Sequence, residues 1–196
     1  MKKVLFLTTL LLLCFTATTF AQTSKEARAA RREALKKERA AHRALEAQQD
    51  SVSYYKAVEA LKAGSFVLEA DNVYFPNGIT RYVSSNTNYV QVDNGEGIVQ
   101  TAFTNFAYNP GPNGLGGVTV EGNISDLKMK EDKHGNYYYS YNIQGIAISA
   151  TVFITLTGGT NQASVQISPN FNNNNMTLSG TVVPLEQSSI FKGRAW

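Results

Sequence analysis

A chain of 196 residues, 43% hydrophobic and 17% charged, has material for one ordinary globular domain plus appendages. Its single cysteine excludes an internal disulfide framework and a multi-cysteine metal site, so stability has to come from the core. The net charge of +3 conceals an asymmetry: Lys25, Arg28, Arg31, Arg32, Lys36, Lys37, Arg39 and Arg43 face only Glu26, Glu33 and Glu38, while residues 65–186 carry four bases against nine acids, a net of −5.

The N-terminus has the pattern of an export signal. Lys2 and Lys3 form a positive region, residues 4–15 an apolar run, and residues 16–21 are small or polar apart from Phe20. Thr19 and Ala21 fall at −3 and −1 of a cut before Gln22, so residues 1–21 are expected to be removed between Ala21 and Gln22. A membrane-spanning helix needs about 20 apolar residues, more than this run offers. Cys14 does not fit a lipoprotein signal, because Leu11, Leu12 and Leu13 stand where a small residue is required. The expected address is therefore the periplasm or the exterior, with no lipid on Cys14 and no cysteine in the mature chain.

Residues 22–63 read as a basic helical arm. Residues 24–49 contain no Pro or Gly and are rich in Ala, Glu, Lys and Arg, the strongest helix formers. Ser24 is placed to cap this helix, with Glu26 in its first turn. Ala27, Ala30, Ala34, Ala41 and Leu45 trace a stripe made mostly of methyl groups, too small to bury much area or to insert into a membrane. Asp50 or Ser51 either caps a second helix or lies in a continuation of the first. Tyr54, Val58 and Leu61 then form its packing face, and Gly64 terminates it. Asp50-Ser51-Val52 also matches a short acceptor motif for O-glycans on exported bacterial proteins, which makes Ser51 a candidate modification site; a helix cap is the simpler account.

From Gly64 the period changes to two, and residues 64–186 read as an antiparallel β domain. Phe66, Leu68 and Ala70 alternate with Val67, Glu69 and Asp71, and Val90 and Val92 with Gln91 and Asp93. Asn94-Gly95 is a hairpin signal leading into residues 98–103. Val118, Val120 and Ile124 share a face, Leu127 and Met129 another short one, and the turn at residues 133–136 passes to residues 137–143. The clearest strand places Ile146, Ile148, Ala150, Val152, Ile154 and Leu156 on one side. Residues 158–161 turn back through Val165 and Ile167, and residues 172–175 form a polar turn before residues 178–183. Eight or more short strands with no helices between them predict a mainly β fold: a closed or nearly closed barrel, a strongly curved sheet, or a sandwich. Residues 187–196 are left as a C-terminal tail.

The segments Gly64-Ser65-Phe66-Val67-Leu68-Glu69-Ala70, Asn105-Phe106-Ala107-Tyr108, Gly116-Gly117 and Leu178-Ser179-Gly180-Thr181-Val182-Val183-Pro184 resemble the bacterial domain-of-unknown-function family 4251 from about Tyr54 to Pro184. Where such families usually show a Leu-Pro-Tyr-Phe-Gly-Arg-like run, this chain has Phe103-Thr104-Asn105-Phe106-Ala107. The resemblance implies an exported protein with a lipocalin-like antiparallel barrel of about eight strands. It brings no activity and no catalytic residues.

The chemistry legible in the residues is sparse. His42 and His134 are the two histidines; the first lies in the charged helix and the second in a hairpin turn, where a solvated role is the simpler account. Glu131 and Asp132 are adjacent on a strand and point to opposite faces, so they cannot easily share a substrate. Residues 93–96 lack the alternating acids of a calcium loop, and residues 114–117 precede a strand, with no helix N-terminus to hold a phosphate. No cofactor, metal, catalytic group or nucleic-acid partner is expected. Tyr137, Tyr139 and Tyr141 share one strand face and are the candidate ligand-binding residues. Facing inward they would line an amphipathic pocket, facing outward a strip suited to glycans or a protein, and as plain cross-strand pairs they would only stabilise the sheet. The expected function is a non-catalytic envelope barrel binding a small amphipathic ligand. The alternative is an interaction module with a filled core that holds a protein or glycan through its basic helix or outer sheet face. An enzymatic role resting on Glu69, Glu121 or His134 is the third option.

Overall fold

A computed structural model describes residues 2–102, 113–145, 149–170 and 175–194, with side chains described from Ala27 onward. The chain forms two compact units, Met1–Gln48 and Gln49–Trp196. The first is entirely helical, and all of its described side chains are exposed, as a stripe of methyl groups allows. Helix α1 spans Lys2–Ala63. No Gly or Pro precedes Gly64, so nothing in the sequence interrupts it. Ser24 and Ser51 are accordingly interior to one helix, where neither acts as a cap. Gly64, with a φ of +66°, ends the helix, and its N–H bonds back to the Leu61 carbonyl at 3.2 Å.

In the second unit nine strands follow: β1 (Ser65–Tyr74), β2 (Thr80–Tyr82), β3 (Tyr89–Asp93), β4 (Glu96–Thr101), β5 (Val118–Glu131), β6 (Tyr137–Gln144), β7 (Ser149–Leu156), β8 (Gln162–Pro169) and β9 (Met176–Pro184). Every pairing is antiparallel, and β3 to β9 run as a meander. β1 closes it. One of its edges pairs with β9 from Phe66↔Pro184 to Tyr74↔Thr177; the other pairs with β3 and then with β2. The result is a closed eight-stranded barrel with β2 as an extra strand, one of the architectures that the alternation predicts and the one that the family resemblance implies. Ile146 and Ile148, the polar turn from residue 172, and the motifs between residues 103 and 112 lie outside the described residues.

Inward positions build one core. Phe66, Leu68 and Ala70 from β1, Val90 and Val92, Val99, the β6 tyrosines with Ile143, the even residues of β7 from Ala150 to Leu156, Val165, Ile167, Leu178 and Val182 are all buried in it. The last turns of α1 cover one end of the barrel, contributing Ala57, Val58, Ala60 and Leu61. Toward the other end lie Phe75, Val83, Val120 and Met176, only partly buried against the core. Gly180 lies on the seam: a Cβ there would stand 1.9 Å from the Glu69 carbonyl oxygen, which only glycine tolerates.

A second, smaller cluster lies outside the wall. Val67, Tyr89 and Ile98 point away from the barrel and are covered by Val183, Leu185 and Ile190. The C-terminal segment is thus a strap on the outer face. Its anchor is the buried Gln100, which donates to the carbonyls of Thr87 (3.0 Å) and Phe191 (2.8 Å) and accepts from the Thr119 hydroxyl (3.0 Å) and the Gly193 N–H (2.7 Å).

Candidate ligand site in the barrel core

Alternation on β6 turns Tyr137, Tyr139, Tyr141 and Ile143 to the interior, because Tyr138, Ser140 and Asn142 take the outer face. All three candidate tyrosines are buried, Tyr139 and Tyr141 to within 1% of complete burial. Their cross-strand partners are apolar: Tyr137 pairs with Leu156, Tyr139 with Ile154 and Tyr141 with Val152. The rings pack edge to face, Tyr139 against Tyr141 with centroids 6.0 Å apart and against Phe66 at 5.2 Å.

The three hydroxyls differ sharply. Tyr137 sits at the helix-covered end and donates to Glu131 Oε2 at 2.6 Å, while Lys62 Nζ lies 5.4 Å above its ring. That hydrogen bond, with burial second, holds its phenol up at about 12. The Tyr139 and Tyr141 hydroxyls are buried and have no hydrogen-bond partner among the described residues. Burial pushes both phenols upward, and Tyr141 is raised further by its neighbour Tyr139. Both are therefore neutral across physiological pH, each with a free donor and free acceptor lone pairs in an apolar interior. A buried hydroxyl without a partner costs about 1–3 kcal/mol, so two of them together are unusual.

In the sequence Glu131 stands out only as the neighbour of Asp132, and Lys62 carries no functional signal. Counting back across the β5–β6 turn places Glu131 opposite Tyr137, a signal that was available; Lys62 depends on how the helix meets the barrel, which no period encodes.

The remaining candidates are dispersed. Glu131, the last residue of β5, and Asp132, which lies in the turn beyond it and not on the strand, diverge toward Tyr137 and Tyr138 respectively. Asp132 organises the turn, accepting from the N–H groups of His134 (2.8 Å) and Asn136 (2.9 Å) and from the Asn136 side chain (2.8 Å). Led by the Asn136 side chain, these bonds hold its carboxyl down at about 2. His134 is exposed in that turn, and Ser51 is exposed on α1. The side chains of Cys14, Ala21 and Gln22 lie outside the described ones. Among the described residues no group of three His, Cys, Asp or Glu side chains is arranged to hold a metal.

The sequence profile of a family described as a domain of unknown function (DUF4251) matches residues 48–182. The chain is also similar to a DUF4251 family protein from Bacteroides eggerthii DSM 20697 with a known crystal structure. The identity is 59% over 76% of this chain and 99% of that one, with a TM-score of 0.65. No curated protein matches.

Proposed function

Because the chain belongs to the DUF4251 family, whose description names no activity, we propose from the chemistry of the barrel that it is a non-catalytic binder of a small amphipathic molecule. The observation that carries this reading is the pair of hydroxyls on Tyr139 and Tyr141, buried in the apolar core without a partner among the described residues. The interior of an eight-stranded barrel is either filled by its own side chains or holds one small ligand, and the free hydroxyls favour the second. A molecule with an apolar body and one or two hydroxyl, carbonyl or carboxyl groups would satisfy these oxygens while its body packs against the inner wall. Catalysis is not needed to explain the site, since phenols raised by burial are poor bases and poor nucleophiles near neutral pH.

Export is part of the same proposal. It rests on Lys2 and Lys3, the apolar run after them, and the small residues before Gln22. Native mass spectrometry of the protein purified from its own cell envelope tests both halves. The expected mass starts at Gln22 and carries a discrete adduct that is lost on unfolding and weakened in a Tyr139→Phe, Tyr141→Phe double variant. A bare mass would overturn the ligand proposal, and a lipid on Cys14 would overturn the processing.

A further inference from the structure

The outer face of β5, β6 and β7 carries a second arrangement, on the side of the wall opposite the core tyrosines. Tyr138 and Ser140 point outward from β6; Lys130 lies directly opposite Tyr138 on β5, Lys128 opposite Ser140, and Phe153 opposite Ser140 on β7. The Tyr138 and Phe153 rings are nearly parallel, 25° apart in plane and 6.2 Å between centroids, and Phe153 is 42% exposed. With Met129 these residues line a shallow groove of about 420 Å³. We propose that this groove binds negatively charged saccharides, with Tyr138 and Phe153 as a stacking platform and Lys128 and Lys130 as the pair that meets the charge.

The argument rests on what each group still has free. The nearby acids are engaged: Asp132 by its own turn and the Tyr138 hydroxyl, Asp126 by the Asn142 amide at 2.9 Å, and Glu131 on the opposite face by Tyr137. Neither Lys128 nor Lys130 has a carboxylate partner among the described residues. Two cations therefore lie side by side beside an apolar strip, neither of them in an ion pair among the described residues, on a body whose net charge is negative. A sheet-stabilising aromatic pair accounts for the rings but not for the lysines beside them. Along the next row Asn142 accepts from the Thr151 hydroxyl at 2.8 Å, giving an exposed polar rim beside the rings. A sugar ring has the matching anatomy: a C–H face for the platform, hydroxyls for the rim, and a carboxylate or sulfate for the lysines.

Titration of the full chain with tetragalacturonate, a sulfated heparin tetrasaccharide, neutral galactotetraose and polyphosphate, followed by amide NMR and calorimetry, tests this. An acidic saccharide is expected to shift the amides of Tyr138, Ser140 and Phe153. Phe153→Ala should weaken binding at least tenfold and Phe153→Trp should preserve it. Lys128→Ala with Lys130→Ala should weaken it and flatten its salt dependence. Whether carboxylated or sulfated sugar binds better identifies the source of the charge. Because Phe153 is outward and half-exposed, its variants are expected to fold, which thermal melts check; the lysine pair gives an independent reading. The proposal is overturned if neither acidic saccharide binds or if the shifts are confined to the basic arm of residues 25–43. It is equally overturned if polyphosphate competes at full strength while Phe153→Ala changes nothing.

Discussion

The Tyr54 hydroxyl donates to the Gly135 carbonyl at 2.6 Å, tying the last turns of α1 to the β5–β6 turn across 81 residues of sequence. This bond fixes the helix over the end of the barrel where Ala57, Val58 and Leu61 enter the core. Tyr54→Phe keeps the ring and deletes the bond, so denaturant unfolding should show a loss of about 1 kcal/mol. Hydrogen exchange should rise in the turn at residues 132–136.

The core hydroxyls make the opposite prediction. Tyr139→Phe or Tyr141→Phe removes an oxygen that has no partner among the described residues, so the ligand-free protein, refolded from denaturant, should gain about 0–1 kcal/mol in stability. The same substitutions should reduce ligand retention. A clear loss of stability in the ligand-free protein would mean the hydroxyls are satisfied from within.

Gln100 holds the strap. Gln100→Ala strips partners from the half-buried Thr87 carbonyl, the Phe191 carbonyl, the buried Thr119 hydroxyl and the Gly193 N–H, and a cost of roughly 2 kcal/mol follows. Chemical denaturation measures this loss. Freed protease sites after Glu186 would report the release of the strap itself.

Stability should fall at both extremes of pH. Tyr89, raised by burial and then by Glu121, and Tyr137, raised first by Glu131, both stand at about 12 against an ordinary 10. Above pH 10 the unfolded chain sheds these protons while the folded one keeps them. Their contribution is thus intact below pH 10 and lost as pH climbs toward about 12. Asp132 works in reverse: lowered to about 2 from 3.8, its contribution is present above pH 4 and lost as pH falls toward 2. Thermal melts across pH should show both edges. Tyr137→Phe should soften the alkaline one and Asp132→Asn the acid one.

What the sequence revealed and what it hid follow one rule. Period-two alternation exposes which residues share a face, so the inward rows on β1, β6 and β7 were legible, including the tyrosines. The Asn94-Gly95 hairpin was equally plain, since both residues adopt positive φ there. β5 was harder. Val118, Val120 and Ile124 seemed separate from Leu127 and Met129 because a register shift between Ser125 and Lys128, with Asp126 at φ +53°, breaks the alternation inside a single strand. The alternation that places Phe66 and Leu68 inside turns Val67 outward with Glu69 and Asp71, yet the strap buries it. Contacts such as Gln100 with Gly193 join segments 93 residues apart with no periodic trace, so the tail gave no hint that it was a clasp. Tyr138 and Phe153 likewise meet only once β6 and β7 are in register.

The seam between β1 and β9 has a consequence for the order in which this protein can be made. The first strand of the barrel waits for the last: Phe66 meets Pro184, and no part of that edge can pair before Met176 onward exists. So high a sequence separation predicts slow, all-or-none closure rather than growth by accretion. Until closure, the β1 edge destined for β9 is an open template for other strands, with Phe66 and Leu68 beside it. The proposed export gains from that delay, because a barrel whose seam closes last stays unfolded until its final strand arrives.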